Sequence, residues 1–449
     1  MIRPDRSRAP VRLPTPRLSV PVFEERVLDG GLRVRAARMP RLPEVAIRLV
    51  VDAGAAAETP GRAGVAALTT RVLSEGAAGR GAPAMAEWLD HMGAGFSTGV
   101  SHDAAQLGMH ALSDTLDEAL DYLAAVTLAP AFFPEEVERV RDERLDEIRR
   151  LRDEASEVAS EALAAALYGD HPYGRPVRGR EVTLEELDAS SVRRFWERSY
   201  GARGAALVAV GDIEPGAFFD AAARRFGAWV PGAAMRRVGA APEPRPGPIR
   251  LIDRPGSRQS EIRVGTVGLA RGAADEVAAL VMNAVLGGLF HSRLNLNLRE
   301  DKGWTYGVRS GFTRRRAAGP FVIRAAVETG KTALAFEEIL TEVRGMTERP
   351  PEGQELDLAR SALTLSLPRE FETTSMVASK EAERLVYGLS EDWWERLPRA
   401  VEAVTRDQVV AVAERYLASE RLQLLVVTDA AAARDDLASL GAVSESPAP

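Results

Sequence analysis

The sequence predicts an α+β protein of two homologous domains, each a mostly antiparallel sheet covered by helices on one face, joined by an extended linker. Three observations carry this. First, one layout occurs twice. Phe133-Pro134-Glu135-Glu136-Val137-Glu138 is answered by Pro350-Pro351-Glu352-Gly353-Gln354-Glu355, so that Pro351 and Glu355 each lie 217 residues after Pro134 and Glu138. Glu197-Arg198-Ser199-Tyr200, ahead of an apolar run at 205–210 and Asp212, is answered by Glu414-Arg415-Tyr416, a run at 422–427 and Asp429, with Glu414 and Asp429 again 217 residues after Glu197 and Asp212. A period this long marks a duplicated domain, not a solenoid repeat. Second, strand-like and helix-like segments mix without a strict βαβ rhythm. Third, residues 227–248 are rich in proline and glycine and poor in bulky apolar residues, as a linker is. The expected division is an irregular arm at 1–20, a first domain at 21–226, the linker at 227–248, a second domain at 249–435 and a flexible tail at 436–449.

Pro4, Pro10, Pro14 and Pro16 make the arm irregular. Residues 45–53 form a β-type apolar run. Residues 64–74 carry Val65, Leu68 and Val72 at helical spacing, and 106–112 alternate like a strand. Residues 116–128 read as an amphipathic helix with Leu116, Leu120 and Leu123 inward. Pro134 opens a long helix, as proline does in a first turn, with Val137, Val140, Ile148, Leu151 and Val158 as its apolar stripe. A strand follows at 205–211. The second half repeats the order: strand at 262–269, helix at 275–286, strand at 321–327, helices at 332–346 and 354–367, and strand at 422–428.

The 449 residues are 45% hydrophobic and 27% charged, enough to bury large cores. The net charge of −7, with arginine interleaved among Asp and Glu, argues against nucleic acid as a partner. Arg314-Arg315-Arg316 is the one tight basic run and reads as a solvated turn between two strands. There is no cysteine, so neither disulfides nor thiolate chemistry are available. The first 20 residues lack an apolar h-region, and no stretch of 18 apolar residues occurs. The expectation is a cytoplasmic protein without a membrane partner.

Only five histidines exist: His91, His102, His110, His171 and His291. None are spaced as metal ligands on a shared helix, and HExxH and HxxEH are both absent. His102 and His110 lie near one strand and read as polar edge residues sooner than as a metal pair. No nucleophile elbow, Walker loop or dinucleotide fingerprint is present. Gly287-Gly288 follows an apolar helix, not a strand, which argues against a phosphate cradle.

The segment Leu298-Arg299-Glu300-Asp301-Lys302-Gly303-Trp304-Thr305-Tyr306 resembles the "LREKRGLAY" stretch of the pitrilysin (insulinase) family of inverted-zincin metallopeptidases. Leu286-Gly287-Gly288-Leu289-Phe290-His291-Ser292-Arg293-Leu294 resembles that family's "GGGMSSRLF" turn. The duplicated halves, the linker and Gly93-Ala94-Gly95-Phe96-Ser97-Thr98 match as well, so the resemblance covers nearly the whole chain.

The resemblance implies half of a clam-shaped chamber. It also implies an HxxEH helix in the first half, with two His binding Zn²⁺, the Glu as general base, and a second Glu seventy-odd residues on completing the ligands. Here Ala67 stands for the first His, Thr70 for the Glu and Arg71 for the second His. Glu147 falls at the last ligand position, and Val140 replaces an additional acidic residue. Glu147 is either a partner of Arg71 or an ordinary surface residue of a Glu-rich helix. Arg299 and Tyr306, by contrast, match the family's pair that binds substrate carbonyls near the scissile bond. Without the resemblance they would read as a helix C-terminal residue and a strand-face aromatic.

The expected function is therefore the non-catalytic, substrate-binding subunit of a heterodimeric zinc peptidase. This chain would contribute Arg299 and Tyr306 toward a peptide substrate, with no catalytic residue, metal or cofactor of its own. A homologous HxxEH-bearing partner would supply zinc. The alternative is a structural pseudo-peptidase scaffold.

Overall fold

The computed structural model describes residues 18–232 and 238–447; residues 1–17 of the expected arm lie outside the described residues. Two six-stranded sheets dominate. The first runs, in spatial order, Glu24–Val27, Arg33–Arg38, Ala205–Gly211, Glu44–Val51, Ala105–Leu112, Gly95–Val100. The second runs Val308–Phe312, Pro320–Glu328, Gln259–Val267, Gln423–Thr428, Ile249–Asp253, Val443–Glu445. Read in reverse, the second order matches the first over five strands; the sixth differs, since Glu24–Val27 pairs antiparallel ahead of Arg33–Arg38 while Val443–Glu445 returns from the chain's end to pair parallel with Ile249–Asp253. Even the parallel pairing of Arg33–Arg38 with Ala205–Gly211 recurs, between Ile249–Asp253 and Gln423–Thr428. The remaining pairs of the first sheet are antiparallel.

Every residue of Ala205–Gly211 is buried, which is why this strand reads as an unbroken apolar run instead of alternating. Its two faces belong to two cores. Leu207 and Ala209 join Val45, Ile47 and Leu49 in the first-half core. Ala206, Val208 and Val210, with Ala46 and Val50, join the core of the second half.

Each half covers one face of its sheet with its own helices, as expected, and the other face of the central strands is covered as well. The extra cover is exchanged between halves. The expected long helix from Pro134 to Val158 is two helices, Pro134–Arg152 and Ala155–Tyr168, with the break at Asp153 and Glu154. After the break the chain leaves its own half and lays Ala155–Tyr168 on strands Gln259–Val267 and Gln423–Thr428. Reciprocally, Thr374–Tyr387 of the second half lies on Glu44–Val51 and Ala205–Gly211. The contacts repeat in pairs. Arg48 Nε donates to Ser379 Oγ at 3.3 Å, and Arg263 Nε donates to Ser160 Oγ at 3.4 Å. In both, Nη1 also donates to the carbonyl of the preceding isoleucine, Ile47 or Ile262.

The expected tail at 436–449 is not a loose end. Helix Ala430–Ala438 enters it, and Val443–Glu445 adds a parallel strand beside Ile249–Leu251, closing an edge that would otherwise expose unpaired backbone. The run Glu276–Asp301 has the length and mean hydropathy (1.4) of a membrane span, but half of that window is buried inside the fold, where Val281, Met282, Leu286, Leu294 and Leu298 face the second-half core. Two π-turns, Ala284–Gly288 and Leu296–Asp301, interrupt it.

Candidate functional site

Arg299 sits in the second of those π-turns, and Tyr306 in the loop that follows. The local sequence explains the placement. A Cβ on Gly287 would stand 2.5 Å from Ser310 Oγ and 2.9 Å from Leu294, so only glycine lets the helical run approach strand Val308–Phe312. Asn295 then locks the two together. Its Nδ2 donates to the Val308 carbonyl at 2.8 Å, and its Oδ1 accepts from Val308 N at 2.9 Å. Gly303, at φ 65°, reverses the chain into the Tyr306 loop.

Arg299 and Tyr306 line one cleft of about 720 Å³, together with Glu261, Arg263, Phe290 and Arg324. The Arg299 guanidinium carbon lies 4.3 Å from the Phe290 ring centroid, and its Nε is 3.4 Å from Glu300 Oε1. Tyr306 is 94% exposed. Its hydroxyl has no protein partner among the described residues, so it is available to a ligand. A second hollow of about 690 Å³, lined by Trp304, Gln259 and Thr329, also has Tyr306 in its wall. The edge strand Val308–Phe312 forms one wall of the first cleft.

The first-half motif helix, Val65–Val72, presents a different surface. Ala67 and Thr70 are buried, and Thr70 Oγ1 is already committed to Ala66 O at 2.8 Å and to Tyr200 Oη at 2.9 Å. Arg71 pairs with Glu75 at 2.6 Å, and Glu75 also accepts from Arg139. Glu147 is exposed and forms no ion pair with Arg71, which settles the alternative in favour of a surface residue whose charge is felt at Arg144. A methyl, a committed hydroxyl and a guanidinium do not fit a zinc ion. Among the described residues, no group of three or more His, Cys, Asp and Glu is placed to hold a metal.

His102 and His110 do not meet. His102 Nε2 donates to the Arg175 carbonyl at 3.0 Å, while His110 stands 3.1 Å from Glu44. Burial and then the charges of Arg315 and Arg175 push His102 down to about 3, so it is neutral at ordinary pH.

The run Arg314–Arg316 is not a solvated turn. Arg314 reaches Glu383 at 3.3 Å, Arg315 lies 4.5 Å from the Tyr173 ring centroid, and Arg316 pairs with Asp52 of the first half. The run joins the halves. Sequence reasoning also missed Asn295 and Phe290; the ordered spacing from Gly287 to Tyr306 was the available signal.

Comparison with known proteins gives a consistent picture. A family profile described as "Insulinase (Peptidase family M16)" matches residues 33–181, and one described as "Peptidase M16 inactive domain" matches residues 186–363. A zinc protease of Mycobacterium tuberculosis is 27% identical over 88% of this chain and 90% of its own length. A zinc protease of Bacillus subtilis is 23% identical over 89% and 97%. Among solved structures, a peptidase M16 inactive domain from Pseudomonas fluorescens superposes with a TM-score of 0.85 at 26% identity, covering 90% of this chain and 98% of that one. A protease from Helicobacter pylori shares the fold at a TM-score of 0.83 and 16% identity, over 91% of this chain.

Proposed function

The chain belongs to the M16 (insulinase) peptidase family, and on that premise we propose that it is the non-catalytic, substrate-binding subunit of a two-chain zinc peptidase. One juxtaposition carries the reading. Arg299 and Tyr306 face an open cleft with their donors available, while Ala67, Thr70 and Arg71 leave the metal-motif helix without a ligand. A scaffold has no need of the first, and a self-sufficient peptidase has need of what the second lacks.

The cleft suits an extended peptide. The edge strand Val308–Phe312, beyond Val308 whose N–H and carbonyl are held by Asn295, offers a free edge for strand addition. The Tyr306 hydroxyl and the Arg299 guanidinium are both donors. Directed at a peptide carbonyl whose oxygen gains charge during cleavage, they stabilise that charge more than the ground state. Phe290 stacks against Arg299 and holds its plane without consuming its donors. Zinc and the general base come from a homologous HxxEH-bearing chain, and the two chains close the chamber around the peptide.

The test is reconstitution. The lone chain is expected to carry no stoichiometric zinc after dialysis and to leave unfolded peptides intact; mixing with the HxxEH partner restores cleavage. Tyr306→Phe, which keeps the ring, lowers kcat of the pair by roughly 10²-fold or more. Arg299→Lys, which loses the planar fork, weakens both peptide binding and turnover. Chelator-sensitive hydrolysis by the lone chain overturns the assignment. Wild-type kinetics in both variants leaves only a scaffold.

A further inference from the structure

A third cleft, of about 420 Å³, opens where the metal-motif helix faces the exchanged helix Ala155–Tyr168. Five arginines line it, Arg71, Arg144, Arg175, Arg178 and Arg315, against two glutamates, Glu157 and Glu161. His102 also lines it but stays neutral. Most of the cations are engaged. Arg178 pairs with both glutamates, and Arg71 with Glu75. Arg175 donates to the Glu58 carbonyl at 3.3 Å, and Arg315 to the Tyr173 carbonyl at 3.3 Å while stacked on its ring.

Arg144 is different. Its Nε, like that of Arg175, is shut off from solvent without a hydrogen-bond partner, but Arg144 alone of the five makes neither a hydrogen bond nor an ion pair through any guanidinium nitrogen among the described residues. Burial and the like charges of Arg71 and Arg178 both weigh against its charged form, with Glu147 the one opposing charge. A crowded, half-desolvated guanidinium without a partner is a costly arrangement, and an incoming anion relieves it.

The cleft also has a direction. Thr98, Gly99 and Val100 of the edge strand Gly95–Val100 form one wall, so unpaired backbone runs beside the arginines, and no side chain on Gly99 blocks it. On the far side, Ser160 of this cleft is hydrogen-bonded to Arg263 of the Arg299–Tyr306 cleft, so the two hollows are neighbours.

We propose that this cleft is a carboxylate-reading subsite, in which Arg144, backed by Arg175 and Arg315, receives an acidic side chain or the terminal carboxylate of an extended peptide lying along Gly95–Val100. Fixed positive charge has taken over the place of the lost metal ligands and selects anionic peptides. The proposal rests on the chain binding peptides, and names the chemistry that decides which ones.

Calorimetry on the full chain tests it without any partner or turnover. Four probes suffice: an acetylated, amidated ten-residue Ser/Val peptide with one central Glu, the same peptide with Gln, the Gln peptide with a free C-terminal carboxylate, and inorganic phosphate. The Glu peptide, the free-terminus peptide, or both bind at least tenfold more tightly than the amidated Gln peptide; which of them does so identifies the source of the carboxylate. In Arg144→Gln that preference collapses severalfold or more, and Arg144→Lys restores part of it, with thermal melting to confirm folding. Equal binding of all three peptides overturns the carboxylate proposal and leaves peptide binding intact. Binding of none overturns both. Phosphate binding through Arg144 without any preference among the peptides also overturns it, and the wild-type comparison stands even if a variant fails to fold.

Discussion

Glu58 sits at the mouth of the motif helix, where its Oε1 accepts from Gly64 N at 3.1 Å and Ala66 N at 2.8 Å while its Oε2 is buried without a partner. Burial pushes it up to about 7, against the downward pull of those two bonds and of Arg175. A carboxyl with a raised folded pKa contributes most stability below its unfolded value near 4.5, and that contribution fades as pH rises through 7. Glu58→Gln keeps the acceptor and removes the charge. Its stability relative to the parent should therefore rise between pH 4.5 and pH 8, by about 3 kcal/mol. Denaturant unfolding of both proteins across that range checks it; a pH-independent difference refutes the assignment. At this scale the sequence was partly legible. Arg299 and Tyr306 stood out because their neighbours carry a long, ordered motif. Arg144 did not, because an arginine among many on a charged helix shows its lack of a partner only once Ala155–Tyr168 has closed over it.

At the scale of elements, strand and helix types were legible wherever burial is one-sided, as in helix Leu116–Leu128, whose expected bounds match those found. The break at Asp153 was not, since polar residues on a Glu/Arg-rich surface give no sign of where a helix stops and crosses to another sheet. That crossing has a tight point. A Cβ on Gly265 would lie 2.8 Å from Leu163 Cδ2 and 3.0 Å from the Phe321 carbonyl. Leu163 and Leu167, buried against the second sheet, each stabilise the crossing by about 1.5–3 kcal/mol. Gly265→Val should push the helix away from a strand of the other half and cost about 1–3 kcal/mol, read as a lower denaturation midpoint. An unchanged midpoint would mean that this packing is looser than described.

Across the whole molecule, the duplication was visible in the sequence as matched prolines and strand approaches at one offset, but the reciprocal exchange was invisible, because it depends on which sheet each helix covers. The exchange makes the linker dispensable as a mechanical bond. Arg35 is buried between Glu381, Glu25 and Glu391, Arg316 reaches Asp52, and each half seats one helix on the sheet of the other. A protease site introduced beside Gly239 and then cut should leave two fragments that elute together in gel filtration under native conditions and separate only in denaturant. Fragments that part without denaturant would show that the halves lean on their covalent tether.

The crossed helices also set a timetable for biosynthesis. The strand ending at Gly211 completes the first sheet, yet the helix that covers Ala206, Val208 and Val210 ends at Tyr387, roughly 180 residues later. At roughly 5–20 residues per second, the nascent first half waits on the order of 10–35 s with an apolar sheet face open to solvent. During that interval the ribosome-bound chain presents the surface that holdase chaperones recognise, and a transcript truncated after the linker would yield a sticky product, not half of a working protein.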